Sequence, residues 1–507
     1  MRKFFKTVAV VTVFSISEKF LGFLYRIFLS RSIGAEGLGL YQVTLSVFGL
    51  ILTIICSGTP ITVSRLMTKY KAEGQRNKVN AVISAGITST LALAIPTVII
   101  FFLLKNNLSF IFADDRCASL FIILLPGLVF TSVYSVLRGV FWGNKDFLPY
   151  SIIELLEEAV MIIAGVILVS HASNAFMGAF YASVAVVISF VFSFSLALIV
   201  FFIRKNKIVN PKSQLKPLLS SALPVTAMRT ANSLIMSLVS IILPLRLISA
   251  GYTESQTMSI FGSAMGQSIP LLFIPTTLIG SFTLVLIPEM AENFYKKNYA
   301  FLKRDIEKAL KFASLVSCLF IPLFFVCGEE IGILVFNNHE SGKYLSVSAF
   351  LMLFMSLSNI STSMLNSIGL EVKTLTFFII SAVFMLLCIY FLPAVMGVYS
   401  LLVGFTFVFG LTTVLNLFLL NKYSKIKPKY VRFIFYSIGF SLPTILFSAL
   451  LKNLILSTFG LFFSVLTVGI CSFAFSILLY LCFNVVNVSA FAKTFKALTK
   501  KRKAVNT

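Results

Sequence analysis

The chain has 507 residues, of which 58% are hydrophobic and only 12% are charged. A water-soluble domain is about half apolar and about a quarter charged, so this composition excludes a soluble fold. The formal net charge of +24 is carried mainly by the connections between long apolar runs. That distribution is typical of a membrane protein and argues against a nucleic-acid-binding protein.

Apolar runs long enough to cross a bilayer, which takes about 20 residues, recur along the whole chain. The runs are apolar on every face, as in Val184 to Ile203, whereas the strands of a membrane β-barrel alternate over about ten residues. The sequence therefore predicts an all-α integral membrane protein with fourteen transmembrane helices. Their predicted ranges are 7–30, 41–66, 81–104, 118–141, 150–170, 176–203, 218–248, 264–287, 309–328, 345–368, 374–393, 397–420, 431–451 and 460–484.

The orientation follows from the lysines and arginines, which are concentrated in cytoplasmic loops of membrane proteins. Most of the 42 Lys and Arg residues fall at the two termini and in the even-numbered connections between predicted helices. The odd-numbered connections contain only Arg31, Lys105, Arg116, Lys343 and Lys452. Both termini are therefore predicted to lie in the cytoplasm.

A weak internal repeat divides the predicted helices into two halves, as in transporters built from parallel repeats. The segment Arg31–Ala35 that closes the first helix resembles Ile248–Tyr252, which closes the seventh. The predicted organisation is a six-helix half over 1–208, a second six-helix half over 209–425, an additional helix pair over 426–490 and a basic cytoplasmic tail over 491–507.

Cationic side chains within the predicted helices are the first candidate functional residues. Ionisable groups at membrane depth are costly, so they are expected to face the protein interior or a hydrated cavity. Lys19 and Arg26 are seven residues apart, which places them on one face of the first helix with Arg26 about 10 Å further outward. With Arg229 and Arg246 of the seventh helix, they are predicted to line a cationic cavity for a phosphate or diphosphate.

A second set of charged residues has two possible roles. Its members are Glu18, Arg65, Arg138, Glu154, Glu157 and Glu158. They either line the same cavity or form structural ion pairs, for example Glu154 or Glu158 with Arg65 or Arg138. The sequence leaves both roles open.

Motifs for catalysis and for cofactor binding are missing from the sequence. It contains no GxxxxGK[ST] phosphate loop, and its two histidines offer no metal cluster or nucleophilic triad, so no metal and no cofactor are predicted. Two external carboxylate pairs, Asp114-Asp115 and Glu329-Glu330, are predicted to lie in solvated loops. The glycine-rich stretch from Gly34 to Gly39 is predicted to form a helix-ending turn.

Four segments in roughly the first 300 residues form a specific set. They are Gly22–Arg26 with Ser32–Gln42, Leu243–Tyr252 with Phe261-Gly262, Leu286–Met290, and Leu137–Gly139 with Pro149–Ser151 and Glu154. This set resembles the stage V sporulation protein B family. That family belongs to the multidrug, oligosaccharidyl-lipid and polysaccharide exporter superfamily, which includes the lipid II flippases.

The resemblance implies a flippase of the bacterial inner membrane. It would move an undecaprenyl-diphosphate-linked saccharide, such as lipid II or a related cell-wall, polysaccharide or spore-cortex precursor, to the outer leaflet by alternating access. Lys19 matches a cavity cation of those flippases, Arg26 is displaced by one residue from another, and the additional helix pair would hold the lipid tail. The implied partners are the lipid-linked saccharide, membrane lipids and, as further candidates, cell-wall synthesis enzymes.

Three other functions compete with this one. A drug or cation exporter of the same superfamily would favour acidic cavity residues. A membrane glycosyltransferase or polymerase on the same lipid carrier would depend on external carboxylates such as Asp114 and Asp115. A non-transporting member that recruits cell-wall enzymes would tolerate substitution of the cavity cations.

Overall fold

The computed structural model describes residues 2–204, 206–424, 430–455 and 460–483. The regular structure within these ranges is helical. The helices of the amino-terminal part are α1 (Arg2–Cys56), α2 (Thr59–Ala72), α3 (Arg76–Leu103), α4 (Asp115–Gly143), α5 (Phe147–Val169), α6 (Ala175–Ile203), α7 (Lys212–Ser249) and α8 (Glu254–Phe261). A 3-10 helix (Lys105–Phe110) precedes α4, and a π-helical segment (Gly262–Ser268) follows α8.

The remaining helices complete the fold. They are α9 (Ile269–Tyr295), α10 (Tyr299–Phe336), α11 (His339–Ser348), α12 (Leu351–Ser367), α13 (Glu371–Phe391), α14 (Pro393–Met396), α15 (Tyr399–Ser424), α16 (Tyr430–Ile455) and α17 (Leu461–Cys482). The helices α16 and α17 occupy the region predicted for the additional pair. The predicted basic tail, 491–507, lies outside the described residues.

The predicted turn between the first two helices is wrong in extent. The chain remains helical from Arg2 to Cys56 and is interrupted only at Gly34, where φ is 69° and ψ is −177°. Glycine reaches this positive φ without steric cost, so one residue is enough to redirect the chain. The residues that follow, beginning with Ala35 and Glu36, are helical instead of forming a longer loop.

Three predicted helices are divided in the structure. The second is interrupted at Ser57 and Gly58, and α2 then begins with a proline in its first turn, a position that needs no backbone N–H donor. The eighth, predicted over 264–287, begins within the π-helical segment and continues as α9. The tenth consists of α11 and α12, whose axes are bent by 59°.

Eleven helices in the described residues are long and apolar enough to cross a membrane, or twelve if the bent pair α11 and α12 is one span. The first of these helices is 60 residues long, from Val13 to Ala72, and includes the break at Gly34. The helix α5 is not among these eleven helices, because it contains three charged residues, Glu154, Glu157 and Glu158. The protein is thus an all-helical, multi-pass membrane protein.

The first compact unit contains residues 1–267 and 382–404. A hydrophobic cluster within it contains residues of every helix from α2 to α7, among them Val63, Tyr134, Ile153 and Leu218. Small residues allow close helix packing there, as is common in membranes. A Cβ atom added to Gly139 of α4, for example, would lie 2.6 Å from the carbonyl oxygen of Pro60 in α2.

The second compact unit contains residues 268–381 and 405–507. Within it, α16 and α17 pair through a buried hydrogen bond of 2.7 Å between Ser448 and Ser472. Phe320 of α10 and Phe473 of α17 form an edge-on aromatic contact with ring centroids 5.0 Å apart. The pair α16 and α17 is thereby packed against α10.

Candidate functional site

Arg26 lies on α1, eight residues before the break at Gly34, and is half-buried. Its Nη1 donates a hydrogen bond of 3.1 Å to the carbonyl oxygen of Gly266 in the π-helical segment. Tyr41 is within electrostatic range of Arg26. A guanidinium has five N–H donors, and no other hydrogen bond and no ion pair of Arg26 is found among the described residues. Most of its donors are therefore free to bind an anion.

Lys19 and Arg229 have exposed side chains on helices that are long and apolar enough to cross a membrane. Lys19 is on α1, two turns before Arg26, and Arg229 is near the middle of α7. Neither side chain makes a hydrogen bond or an ion pair with any part of the chain that the structure describes. These two cations and Arg26 all belong to the first compact unit.

Arg246, the fourth predicted cavity cation, has a structural partner. Its Nε donates a hydrogen bond of 2.8 Å to the carbonyl oxygen of Tyr390, and its guanidinium lies 4.4 Å from the centroid of the Tyr390 ring. This cation–π contact, with its hydrogen bond, joins the end of α7 to the end of α13. The geometry therefore gives Arg246 a role in holding two helix ends together.

Arg138 and Glu154 form an ion pair between α4 and α5, with Nη2 and Oε1 2.7 Å apart. Tyr150 donates a hydrogen bond of 2.6 Å to the other carboxylate oxygen of Glu154. The guanidinium of Arg138 also lies 5.2 Å from the ring centroid of Tyr134. For Arg138 and Glu154, the structure thus shows the ion-pair arrangement, one of the two roles that the sequence left open.

The other glutamates of α5 lie beside α1. The carboxylate of Glu158 contacts α1 at Gly22, where an added Cβ atom would lie 2.8 Å from Oε1. Glu18 is within electrostatic range of Glu154, Arg138 and Lys19. Glu18 and Glu158 have no ion-pair partner among the described residues, and Glu157 has a serine neighbour, Ser193.

Arg65, the remaining candidate, contacts α7 instead of a carboxylate. Its Nη2 donates a hydrogen bond of 2.7 Å to the hydroxyl of Ser221. The ion pair predicted between Arg65 and a glutamate of α5 is not found among the described residues.

The prediction of solvated external carboxylates is wrong for two of the four residues. Asp114 is 1% exposed, caps the N-terminus of α4 and pairs with Arg116, whose Nη1 also contacts Glu36 at 2.7 Å. Glu330 is 8% exposed and pairs with Lys452, with Oε1 and Nζ 2.7 Å apart. Both carboxylates have cationic partners that stabilise the fold.

Sequence reasoning could have found only one of these pairs. Asp114 stands directly before a helix and two residues before Arg116, which is a local capping signal. Glu330 and Lys452 are far apart in the chain, and nothing in the local sequence indicates their pairing.

No group of three or more His, Cys, Asp or Glu side chains that could hold a metal ion occurs among the described residues.

Comparison with known proteins confirms the family resemblance. The chain is 26% identical over 407 residues to stage V sporulation protein B of Bacillus subtilis (strain 168), covering 75% of this chain and 78% of that protein. It is 25% identical over 342 residues to the lipid II flippase MurJ of the same organism, covering 60% of each chain. A solved structure of lipid II flippase MurJ in an inward closed conformation matches 93% of this chain and 99% of its own, with a TM-score of 0.71 and 15% identity.

These relatives identify the kind of protein. The chain is a multi-pass protein of the bacterial inner membrane and is of the flippase or transporter kind rather than an enzyme. The polysaccharide biosynthesis protein family model matches residues 4–294, more than half of the sequence. The chain belongs to the polysaccharide biosynthesis protein family.

Proposed function

We propose that this protein is a flippase that moves an undecaprenyl-diphosphate-linked saccharide from the inner to the outer leaflet by alternating access. The observation that carries the proposal is that Lys19 and Arg229, both within helices long and apolar enough to cross a membrane, have no hydrogen-bond or ion-pair partner among the described residues. A cation facing hydrocarbon costs about 2.5–3.5 kcal/mol on insertion scales, so each is expected to face water or an anion. The diphosphate of a lipid-linked saccharide is an anion that would pass through the membrane between the leaflets and could meet these cations there.

The substrate would bind through three cations of unlike geometry. Arg26 offers the planar fork that suits paired hydrogen bonds to phosphate, whereas Lys19 is a compact point charge. Arg229, on α7, would bind the same headgroup from the predicted second half. The polyprenyl chain would remain in lipid beside α16 and α17, while the saccharide occupies the hydrated cavity.

Fourteen spans with both termini in the cytoplasm are part of the proposal. A helix of 60 residues would be about 90 Å long at 1.5 Å per residue, three times the thickness of a bilayer core, so Val13–Ala72 is counted as two spans that meet at Gly34. The helix α5 is counted because its glutamates contact protein. The eleven candidate helices therefore become fourteen spans when the division at Gly34, the helix α5 and the bent pair α11 and α12 each add one.

Polar contacts between connections support this topology. Within the first unit, Asp146 of the fourth connection pairs with Arg204 beside the sixth, with Nη1 and Oδ2 2.5 Å apart. Within the second unit, Glu330 and Lys452 join the ninth and thirteenth connections. Each contact joins two even-numbered or two odd-numbered connections, as expected if alternate connections lie on opposite sides of the membrane.

The alternative of a drug or cation exporter is favoured by one observation. Glu18 and Glu158 are carboxylates at membrane depth without an ion-pair partner among the described residues, and a cationic drug would bind such groups. The glycosyltransferase or polymerase alternative loses its main support, because Asp114 is occupied by Arg116.

The test is exposure of lipid II in the outer leaflet of bacteria depleted of their own flippase. The cells would express the parent, a Lys19→Ala/Arg26→Ala/Arg229→Ala variant, or a control that removes three exposed charges elsewhere, Lys105→Ala/Lys207→Ala/Lys212→Ala. We expect exposure with the parent and the control but not with the cavity variant. Equal exposure with all three would refute the assignment of the cations, and no exposure with the parent would refute lipid II as the substrate.

A further inference from the structure

The π-helical segment contacts α1 at the level of the backbone. A Cβ atom added to Gly262 would overlap the carbonyl oxygen of Ala35 and lie 2.8 Å from the amide nitrogen of Gly39. A Cβ atom added to Gly39 would overlap the carbonyl oxygen of Met258 in α8. Glycine on both sides is therefore required for this approach, as at the closest helix crossings in membranes.

Two hydrogen bonds accompany the glycine contact. Gln267 Nε2 donates to Ser30 Oγ at 2.7 Å, and both residues are almost fully buried. One residue earlier, the carbonyl oxygen of Gly266 accepts the hydrogen bond from Arg26. π-Helical turns are rare and are frequent at functional sites. Here the segment that forms the contact also binds a proposed substrate cation.

We propose that the π-helical segment is the outer closure of the transport path and that it positions Arg26 for the diphosphate. The inference rests on the proposed function and its topology, in which the connections after the first and seventh helices are both external. In the closed state, the Gly266 carbonyl holds one N–H of Arg26 and fixes the orientation of the others. Opening of the closure separates Gly262 from Ala35.

This separation changes the affinity of Arg26 for phosphate. Gly262, Gly266 and Gln267 lie within six residues of one segment, so they leave α1 together. Arg26 then loses its anchor and regains side-chain freedom, which weakens its binding to an anion. By linkage, a bound diphosphate favours the closed segment, and an open segment favours release to the outside.

The closure is tested by labelling. Leu38 is 1% exposed and packs against Gly266, so a Leu38→Cys substitution places a thiol behind the closure. We expect Gly262→Ala to raise its labelling by an impermeant thiol reagent added outside at least tenfold, as measured on the peptide by mass spectrometry. Gly49→Ala is the matched control, because a Cβ atom added to this other glycine of α1 meets nothing within 4 Å. Equal labelling of the two variants would overturn the outer closure.

The positioning of Arg26 is tested by binding of undecaprenyl diphosphate to the purified protein. We expect Gln267→Leu, which keeps the side-chain size, to weaken binding about tenfold, and Arg26→Ala to weaken it at least as much. The double variant should bind no more weakly than Arg26→Ala alone, because Gln267 acts through Arg26. Additive losses would overturn the positioning role. If the parent itself does not bind, the proposed function fails, while the labelling result still decides the closure.

Discussion

Replacing Lys452 by methionine should destabilise the second compact unit more than any single surface change. Lys452 Nζ lies 2.7 Å from Glu330 Oε1 and donates a hydrogen bond of 2.8 Å to the carbonyl oxygen of Val326. The backbone of α10 leaves helical geometry at Cys327, where φ is −106° and ψ is 16°. The ammonium group of Lys452 therefore pairs with a buried carboxylate and also donates a hydrogen bond to a carbonyl group beside a distorted turn of α10.

The expected magnitude follows from burial. Removing one member of a buried ion pair costs about 3–5 kcal/mol, because the other charge is left without a partner. The Lys452 and Glu330 side chains are 21% and 10% exposed, so solvent screens the charge in part and the lower end, about 3 kcal/mol, is expected. Glu330→Gln combined with Lys452→Met removes both charges and should cost less than Lys452→Met alone.

The assay is the free energy of unfolding of purified protein in mixed micelles titrated with a denaturing detergent. Lys105→Met is the matched control, because Lys105 is an exposed lysine of the 3-10 helix with no ion-pair partner among the described residues. The expected order of stability is parent and control, then double variant, then Lys452→Met. A loss below about 1 kcal/mol for Lys452→Met, the value typical of a surface pair, would refute the argument.

Three further predictions concern the first unit. Gly165→Ala places a Cβ atom against the phenol of Tyr25 and should cost about 1–3 kcal/mol in detergent unfolding, whereas Gly165→Ala/Tyr25→Phe should recover part of the loss. Asp114→Ala removes the N-cap of α4 and a partner of Arg116, so a loss of at least about 1 kcal/mol is expected; Asp115→Ala, which leaves that cap intact, is the control. Arg138→Met should destabilise more than Arg138→Met/Glu154→Gln, as measured by thermal unfolding in detergent; the reverse order would contradict a structural ion pair.

The length of the apolar runs was sufficient to predict an all-helical membrane fold, because a bilayer leaves few alternatives to a long apolar helix. The residues at which the helices begin and end were harder to predict from the sequence. The stretch after Gly34 contains two further glycines, Gly37 and Gly39, and the sequence alone predicts a loop there. In the structure these glycines are helical and serve close packing, Gly37 against Ala175 and Gly39 against Met258. The same residue type thus marks either a turn or a helix crossing, and only tertiary contacts distinguish the two.

The candidate site shows the same division between local and long-range information. The cost of a charge in a bilayer selects Lys19, Arg26 and Arg229 as candidates from their positions in the sequence alone. The same argument selected Arg246, whose partner is a carbonyl group 144 residues away and therefore has no local sequence signal. Spacing along one helix tells which residues share a face, but it does not tell which face meets a partner.

The balance between partnered and unpaired charges supports the proposed transport role of the remaining cations. Arg138, Arg116 and Lys452 are matched by carboxylates, so their burial is offset within the fold. Lys19 and Arg229 form no ion pair among the described residues, and two cations facing hydrocarbon would cost about 5–7 kcal/mol together. That is comparable to the total stability of many folded proteins, about 5–15 kcal/mol. The cost disappears if both cations face a hydrated path, and an anionic headgroup that entered this path would then be bound by the two charges.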